Sequence, residues 1–259
     1  MRRVAAAMAA LLCLAGCRTL APFEPGTSIA VGDPRIETLL GELEHRGEGR
    51  RSMRALARLS LDAPDLRFHR PQRVVVERPD RLRVEVLGLF SQVAAVLVTG
   101  DGDYQFYDVG SRALEQGAVT PELLWRVARV ELRADEAVEL LLGAPSRWPD
   151  SVAVGARELD DGSIAIALAD AAGGLRQRLR FDADGRLRQL SLFGDAGQPR
   201  WEASFDDYRA LEGGPFAFRV ELHFPSLEAH AVFTFKNAEL NPDLPEDVFK
   251  LRLPASSVP

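Results

Sequence analysis

The sequence predicts an α+β fold in which one curved antiparallel sheet wraps around helices, and three observations predict it. Apolar and polar residues alternate at period two in both halves of the chain, as in Leu82, Arg83, Val84, Glu85, Val86 and again in Phe218, Arg219, Val220, Glu221, Leu222. Turn signals separate such runs at short intervals: Gly100-Asp101-Gly102-Asp103, Asp160-Asp161-Gly162, Ala172-Gly173-Gly174, Asp182-Ala183-Asp184-Gly185 and Gly213-Gly214-Pro215. Two helical stretches lie between the strand blocks. Dividing the chain at those helices would leave each half of the sheet with a bare apolar face, so a single domain is expected.

The chain is 259 residues long, 46% hydrophobic and 27% charged, which is enough for a packed core and excludes wholesale disorder. No apolar run reaches bilayer length, so a multi-span helical membrane protein is excluded as well. All but two of the 32 basic residues are arginine, and 38 acidic residues are interspersed among them. No concentrated positive patch follows from that pattern, so nucleic acid is not an expected partner.

Taken from the N-terminus, Arg2 and Arg3 precede an apolar segment from Val4 to Leu14 that is too short to span a membrane and reads as a secretory signal. Leu14-Ala15-Gly16-Cys17 resembles the bacterial lipobox, which implies removal of residues 1–16 as a signal peptide and acylation of Cys17 by palmitate-type chains. Loss of Arg2 and Arg3 takes the net charge from -6 to -8 and leaves Cys17 as the sole cysteine. A single cysteine makes no intramolecular disulfide, structural zinc site or redox pair. Two or three acyl chains would hold the protein stably on a bilayer, where one myristoyl chain holds only marginally. Arg18 stands where lipoproteins retained in the inner membrane usually carry aspartate, which favours a lipid anchor on the periplasmic face of the outer membrane. Residues 17–33 form the lipidated N-terminus and a linker, with two prolines, two glycines and no period.

The domain is expected over 34–259. Asp33-Pro34 is an N-cap followed by proline at the first helical position, and Ile36, Leu39, Leu40 and Leu43 follow at helical spacing. Period two then sets in with Met53, Ala55, Ala57, Leu59 and Leu61. Thr120-Pro121 opens a helix carrying Leu123, Leu124 and Val127, and a second helix with Val138, Leu141 and Leu142 stops at Gly143-Ala144-Pro145. Further dry-faced strands carry Ile164, Ile166 and Leu168, then Leu179 and Phe181, then Phe218 to Phe224. The order is one helix, about five strands, two helices and six or seven strands.

Residues that carry chemistry are sparse. His45, His69, His223 and His230 form no metal-binding spacing; His223 and His230 are placed to oppose each other across a hairpin, without a convincing third ligand. No G-x-S-x-G elbow or phosphate-cradling loop occurs. Asp101-Gly102-Asp103 lacks the closing glutamate of a calcium loop, and the paired acids Asp206-Asp207 would need to converge on a cleft to act as a glycosidase pair. No catalytic residue, metal or cofactor is predicted, and enzyme function is not expected.

Three stretches in order along the chain resemble the LolA/LolB superfamily of lipoprotein-localisation factors, with LolB-like outer-membrane lipoproteins the closer likeness. PDRLRVEVLGLFSQVAAVLVTGDGDYQFYD resembles the family's strand, apolar loop, strand and hairpin; EQGAVTPELLWRVARVELRADEAVELLLGAP resembles its central helical insertion; ELNPDLPEDVFKLRLP resembles its Phe-containing tail. The resemblance implies an open antiparallel half-barrel of about eleven strands wrapped around lid helices, enclosing an apolar cavity for acyl chains. It also implies a membrane-delivery loop, which falls on Leu87-Gly88-Leu89-Phe90, with Leu89 and Phe90 in that role.

Under this reading Leu82, Val84, Val86, Phe181, Phe218, Leu222, Phe233 and Phe235 line the concave face, and Leu124 and Leu141 face it from the lid helices. The expected function is binding the acyl chains of lipids or lipoproteins and assisting their delivery to the outer membrane, with cargo received from a soluble periplasmic carrier. The alternative is a non-catalytic envelope or secretion-complex assembly lipoprotein that uses the same fold as a docking surface.

Overall fold

The computed structural model describes residues 25–251, so the expected signal peptide over 1–16, the expected acylation site Cys17 and the first part of the expected linker lie outside the described residues. The chain joins the sheet at once: Thr27–Ile29 (β1) pairs antiparallel with Ala156 to Glu158. Helix α1 (Pro34–Gly49) begins where the sequence places it, because the Asp33 carboxylate accepts the Arg35 backbone N–H at 2.9 Å and Pro34 needs no donor there. Its apolar stripe buries Ile36, Leu40 and Leu43. Gly41 is exposed in mid-helix, and a Cβ there would meet nothing within 4 Å. Gly41→Ala is therefore expected to stabilise the protein by about 0.5–1 kcal/mol, read as a higher urea midpoint at unchanged slope.

Six strands follow: β2 (Ser52–Ala63), β3 (Leu66–Glu77), β4 (Arg81–Leu87), β5 (Val93–Gly100), β6 (Asp103–Asp108) and β7 (Ala113–Ala118). Helices α2 (Leu123–Ala128) and α3 (Ala134–Leu141) come next. The chain then returns through β8 (Val152–Glu158), β9 (Ile164–Ala169), β10 (Leu175–Phe181), β11 (Leu187–Phe193), β12 (Pro199–Leu211), β13 (Gly214–Phe224) and β14 (Ala229–Leu240). All fourteen strands belong to one antiparallel sheet in the order β1-β8-β9-β10-β11-β12-β13-β14-β2-β3-β4-β5-β6-β7. The sheet is open, with β1 and β7 as its edges.

The half-barrel expectation holds in class, and its count of about eleven strands is corrected to fourteen. Strands β1 and β7 are among those that left no apolar alternation to read. The segment β1 lies in the stretch expected to be linker, and every residue of β7 is exposed, so neither face of it is dry.

Turn chemistry sets the hairpins. At the β10–β11 junction the Asp182 carboxylate accepts the backbone N–H groups of Asp184 and Arg186 at 3.0 and 2.9 Å, and Gly185 takes a φ of 74°. The strand order also dictates where α2 and α3 go. Because β7 is one edge and β8 lies beside the other, residues 119–151 must cross the open side of the sheet. Helix α1 packs by the β8–β9 and β10–β11 turns, where the Arg46 guanidinium donates to the Gly185 carbonyl at 2.9 Å. There Ile166, Leu179, Phe181 and Phe205 are fully buried with Ile36 and Leu40 in a continuous core.

Candidate functional site

The other half of the concave side is not filled. A cavity of about 470 Å³ lies between the inner faces of β2 to β6, β13 and β14 and the covering segment from α2 to α3. That is within the range of pockets that bury most of a drug-sized ligand, roughly 300–1,000 Å³. The register explains its walls. Val86 pairs with Gln72 on β3 and with Ala95 on β5, and Ala95 pairs with Asp108 on β6, so these four side chains form one row across the inner face. The adjacent inner-face row contains Val84 and Leu97 with Phe106. Phe68, Val84, Val86, Phe106 and Phe233 point inward yet are only half-buried, because they border empty space.

Of the sequence-predicted lining residues, Leu82, Val84, Val86, Leu222 and Phe233 on the sheet and Leu124 and Leu141 on the helices lie in the cavity wall. Phe181, Phe218 and Phe235 do not. Phe181 is buried in the solid half beside α1. Phe218 and Phe235 each pack edge-on against Phe216, with ring centroids 5.7 and 5.3 Å apart. Sequence reasoning missed Phe68, Gln72, Ala95 and Phe106 as wall residues. Once Val84 and Val86 are assigned inward, pairing to β3 and β5 identifies their neighbours, but that needs the register.

The covering segment is fixed at two places. At its far end the Arg50 guanidinium donates to the carbonyls of Leu142 and Gly143 at 3.0 and 3.2 Å and of Pro215 at 2.7 Å. Arg78 adds bonds to Glu139 at 3.1 Å and to the Ala144 carbonyl at 2.6 Å. Near the α2–α3 connection, Glu136 accepts the Arg133 backbone N–H at 2.9 Å and the Arg200 guanidinium at 3.0 Å, and the Ser226 hydroxyl donates to Glu131 at 3.0 Å. The short α2 is held by burial of Leu123 and Leu124 and by Arg126 stacked 4.9 Å from the Tyr104 ring centre.

Polar side chains are few in the cavity wall: Arg70, Gln72 and Asp108. The backbone N–H and hydroxyl of Ser111, both bonded to Asp108 at 2.7 and 2.8 Å, hold its carboxyl below the usual range. The loop between β4 and β5 stands apart from the core. Leu89 is 93% exposed and Phe90 90% exposed, so neither packs under the sheet. The loop is nevertheless built: Gly88 donates to the Gln92 carbonyl at 2.8 Å, Ser91 to the Gly88 carbonyl at 3.1 Å, and the Phe90 N–H to the Gln92 side chain at 2.9 Å. A Cβ at Gly88 would lie 2.7 Å from the Gln92 amide nitrogen, so glycine permits this closure.

On the outer face, a separate polar depression of about 340 Å³ contains His223 and His230, which oppose each other in the β13–β14 register as the hairpin spacing predicts. Each lies near a glutamate, His223 at 3.7 Å from Glu202 and His230 at 3.3 Å from Glu221. Among the described residues no group of three or more His, Cys, Asp or Glu side chains is arranged to hold a metal ion.

No family model and no curated protein matches the chain. Solved structures do. A LolA superfamily protein from Nitrosomonas europaea superposes with a TM-score of 0.56 at 13% identity, over 83% of this chain and 97% of that one. A Vibrio parahaemolyticus domain, provisionally named as an outer membrane lipoprotein-sorting protein, gives 0.56 at 13% over 82% and 95%. A DUF1329 family protein from Desulfovibrio piger gives 0.57 at 10% over 83% and 96%. At such identities the likeness establishes a shared fold, an open antiparallel sheet of the kind found in LolA-like proteins.

Proposed function

We propose that this protein binds acyl chains of lipids or lipoproteins in the cavity and assists their delivery to the outer membrane, held there by acylated Cys17. The observation that carries the reading is the roomy, almost wholly apolar cavity in a fold shared with a domain named for lipoprotein sorting. A C16 chain exposed to water costs on the order of 13 kcal/mol at about 0.8 kcal/mol per methylene, so crossing an aqueous gap requires an equally dry host. Exchange between such hosts is close to isoenergetic and needs neither nucleotide nor catalytic group. Among the described residues the polar side chains of the wall are an arginine, a glutamine and an aspartate bonded to Ser111, and they pair no nucleophile with a base.

Eight residues separate Cys17 from Gly26, where the chain reaches the sheet, so the tether spans at most about 30 Å and keeps the domain close to its membrane. The Leu89-Phe90 loop would touch the receiving bilayer. Cargo would arrive from a soluble periplasmic carrier.

The test is direct. The full chain carrying Cys17→Ser is expected to retain lipid in native mass spectrometry and to bind a pyrene-labelled fatty acid at about one equivalent. A lipid-free protein that leaves the probe unbound would instead support the docking-surface reading, in which exposed Leu89 and Phe90 contact an envelope partner.

A further inference from the structure

Gln72 is the anomaly in the cavity. It is 2% exposed, and its side-chain oxygen has no hydrogen-bond partner among the described residues. Its cross-strand neighbours carry no donor. On the inner face it pairs with Ala57 on β2 and Val86 on β4, with Ala95 next in the same row. Within that row the next polar side chain is Asp108, three strands and about 14 Å away, so Arg70 on the same strand is the nearest polar group of the wall. Buried carboxamides without partners are uncommon, since the desolvated group carries a penalty that a ligand can remove. Whichever way the amide is turned, it presents one acceptor and one pair of donors to whatever lies beside it.

Arg70 lies two residues along the same strand and faces the same cavity, about 6.7 Å away, beyond the row that Gln72 and Val86 share and toward the β4–β5 loop. Among the described residues its guanidinium donates only to the carbonyl of neighbouring His69, at 3.1 Å, and meets no carboxylate. Asp108 faces the same space from three strands away, and its Oδ1 is engaged by Ser111. The wall thus runs from apolar depth, to a neutral donor and acceptor, to a cation at the rim.

We infer that the cavity selects an acyl chain joined through an amide to an anionic group, the amide seated against Gln72 and the anion against Arg70. This rests on the acyl-binding reading of the cavity and specifies its substrate class. A secondary amide matches Gln72 in both directions, donating to its oxygen and accepting from its nitrogen. An ester supplies acceptors only and leaves the buried oxygen unpaired.

Three amphiphiles with one chain length separate the parts: N-palmitoylglycine, its ester-linked analogue O-palmitoylglycolate, and the methyl ester of N-palmitoylglycine. Displacement of pyrene-labelled fatty acid from the full chain with Cys17→Ser is expected to show N-palmitoylglycine binding at least about five-fold more tightly than O-palmitoylglycolate. Gln72→Met, which keeps the volume and removes both polar atoms, should erase that preference while preserving binding of the chain. Arg70→Gln should instead erase the preference for N-palmitoylglycine over its methyl ester. Equal affinity for amide and ester overturns the inference and leaves the acyl-binding reading standing. Failure of all three probes together with the pyrene fatty acid overturns both. If Gln72→Met does not fold, the amide-against-ester comparison on the Cys17→Ser chain decides alone.

Discussion

Replacing Leu89 and Phe90 together by glutamate is expected to weaken binding of the Cys17→Ser chain to phosphatidylethanolamine–phosphatidylglycerol vesicles by 100-fold or more. Fatty-acid binding in the cavity and the thermal unfolding midpoint should stay where they were. The magnitude follows from exposure. Both side chains stand almost wholly in water, and moving each into an apolar environment contributes about 1.5–3 kcal/mol. The pair together accounts for about 3–6 kcal/mol, which is two to four powers of ten in partition. Glutamate removes that gain and adds repulsion from an anionic surface. The loop should keep its shape, because its closure depends on Gly88, Ser91 and Gln92 and not on the two apolar side chains. Co-sedimentation measures the partition, and an unchanged value would mean that the loop does not meet the bilayer. Delivery of bound fatty acid to acceptor vesicles should fall in parallel.

The sequence made legible those elements whose burial is one-sided. Helix α1 announced itself through Asp33-Pro34 and its stripe, and the two central helices through Thr120-Pro121 and Gly143-Ala144-Pro145. Strand β4 showed a row of inward apolar residues, and three of them, Leu82, Val84 and Val86, do lie in the cavity wall. Strand β3 was hidden by its own residues. Through Arg67, His69, Arg70, Pro71, Gln72 and Arg73 no apolar alternation survives, so Phe68 and Gln72 could not be assigned inward. Period two also assigns a face without saying what stands opposite it. Phe181, Phe218 and Phe235 are as apolar as Phe233, yet α1 and the Phe216 cluster fill their part of the concave side and leave that of Phe233 open. Filling is a property of how far the helices reach, and nothing in a strand's own residues encodes it.

That reach depends on Arg50, and Arg50→Ala is expected to lower the unfolding free energy by about 3–5 kcal/mol. Arg50 ends α1 and is 2% exposed, a guanidinium deep in the protein with carbonyl oxygens for partners and, among the described residues, no carboxylate bonded to it. Burial, reinforced by the nearby charge of Arg46, pushes its pKa down to about 10, so it remains a cation at neutral pH. Its charge faces the C-terminal end of α3, where the helix dipole and the unpaired carbonyls are negative, and one face of Phe216 lies 5.8 Å from it. Truncation strands the carbonyls of Leu142, Gly143 and Pro215, at about 1–3 kcal/mol for each that water cannot reach, and opens a void beside Phe216. Arg50→Lys keeps the charge but cannot span acceptors on α3 and β13 at once, so its loss should be intermediate. Urea unfolding of both variants gives the comparison, and a loss below about 1 kcal/mol for Arg50→Ala would show that the carbonyls find other donors. Because these bonds join the end of α3 to the start of β13, loosening them should also let the covering helices shift over the cavity. Pyrene fatty-acid affinity should therefore fall in Arg50→Lys even at temperatures where that variant is fully folded, which a purely global destabilisation would not produce.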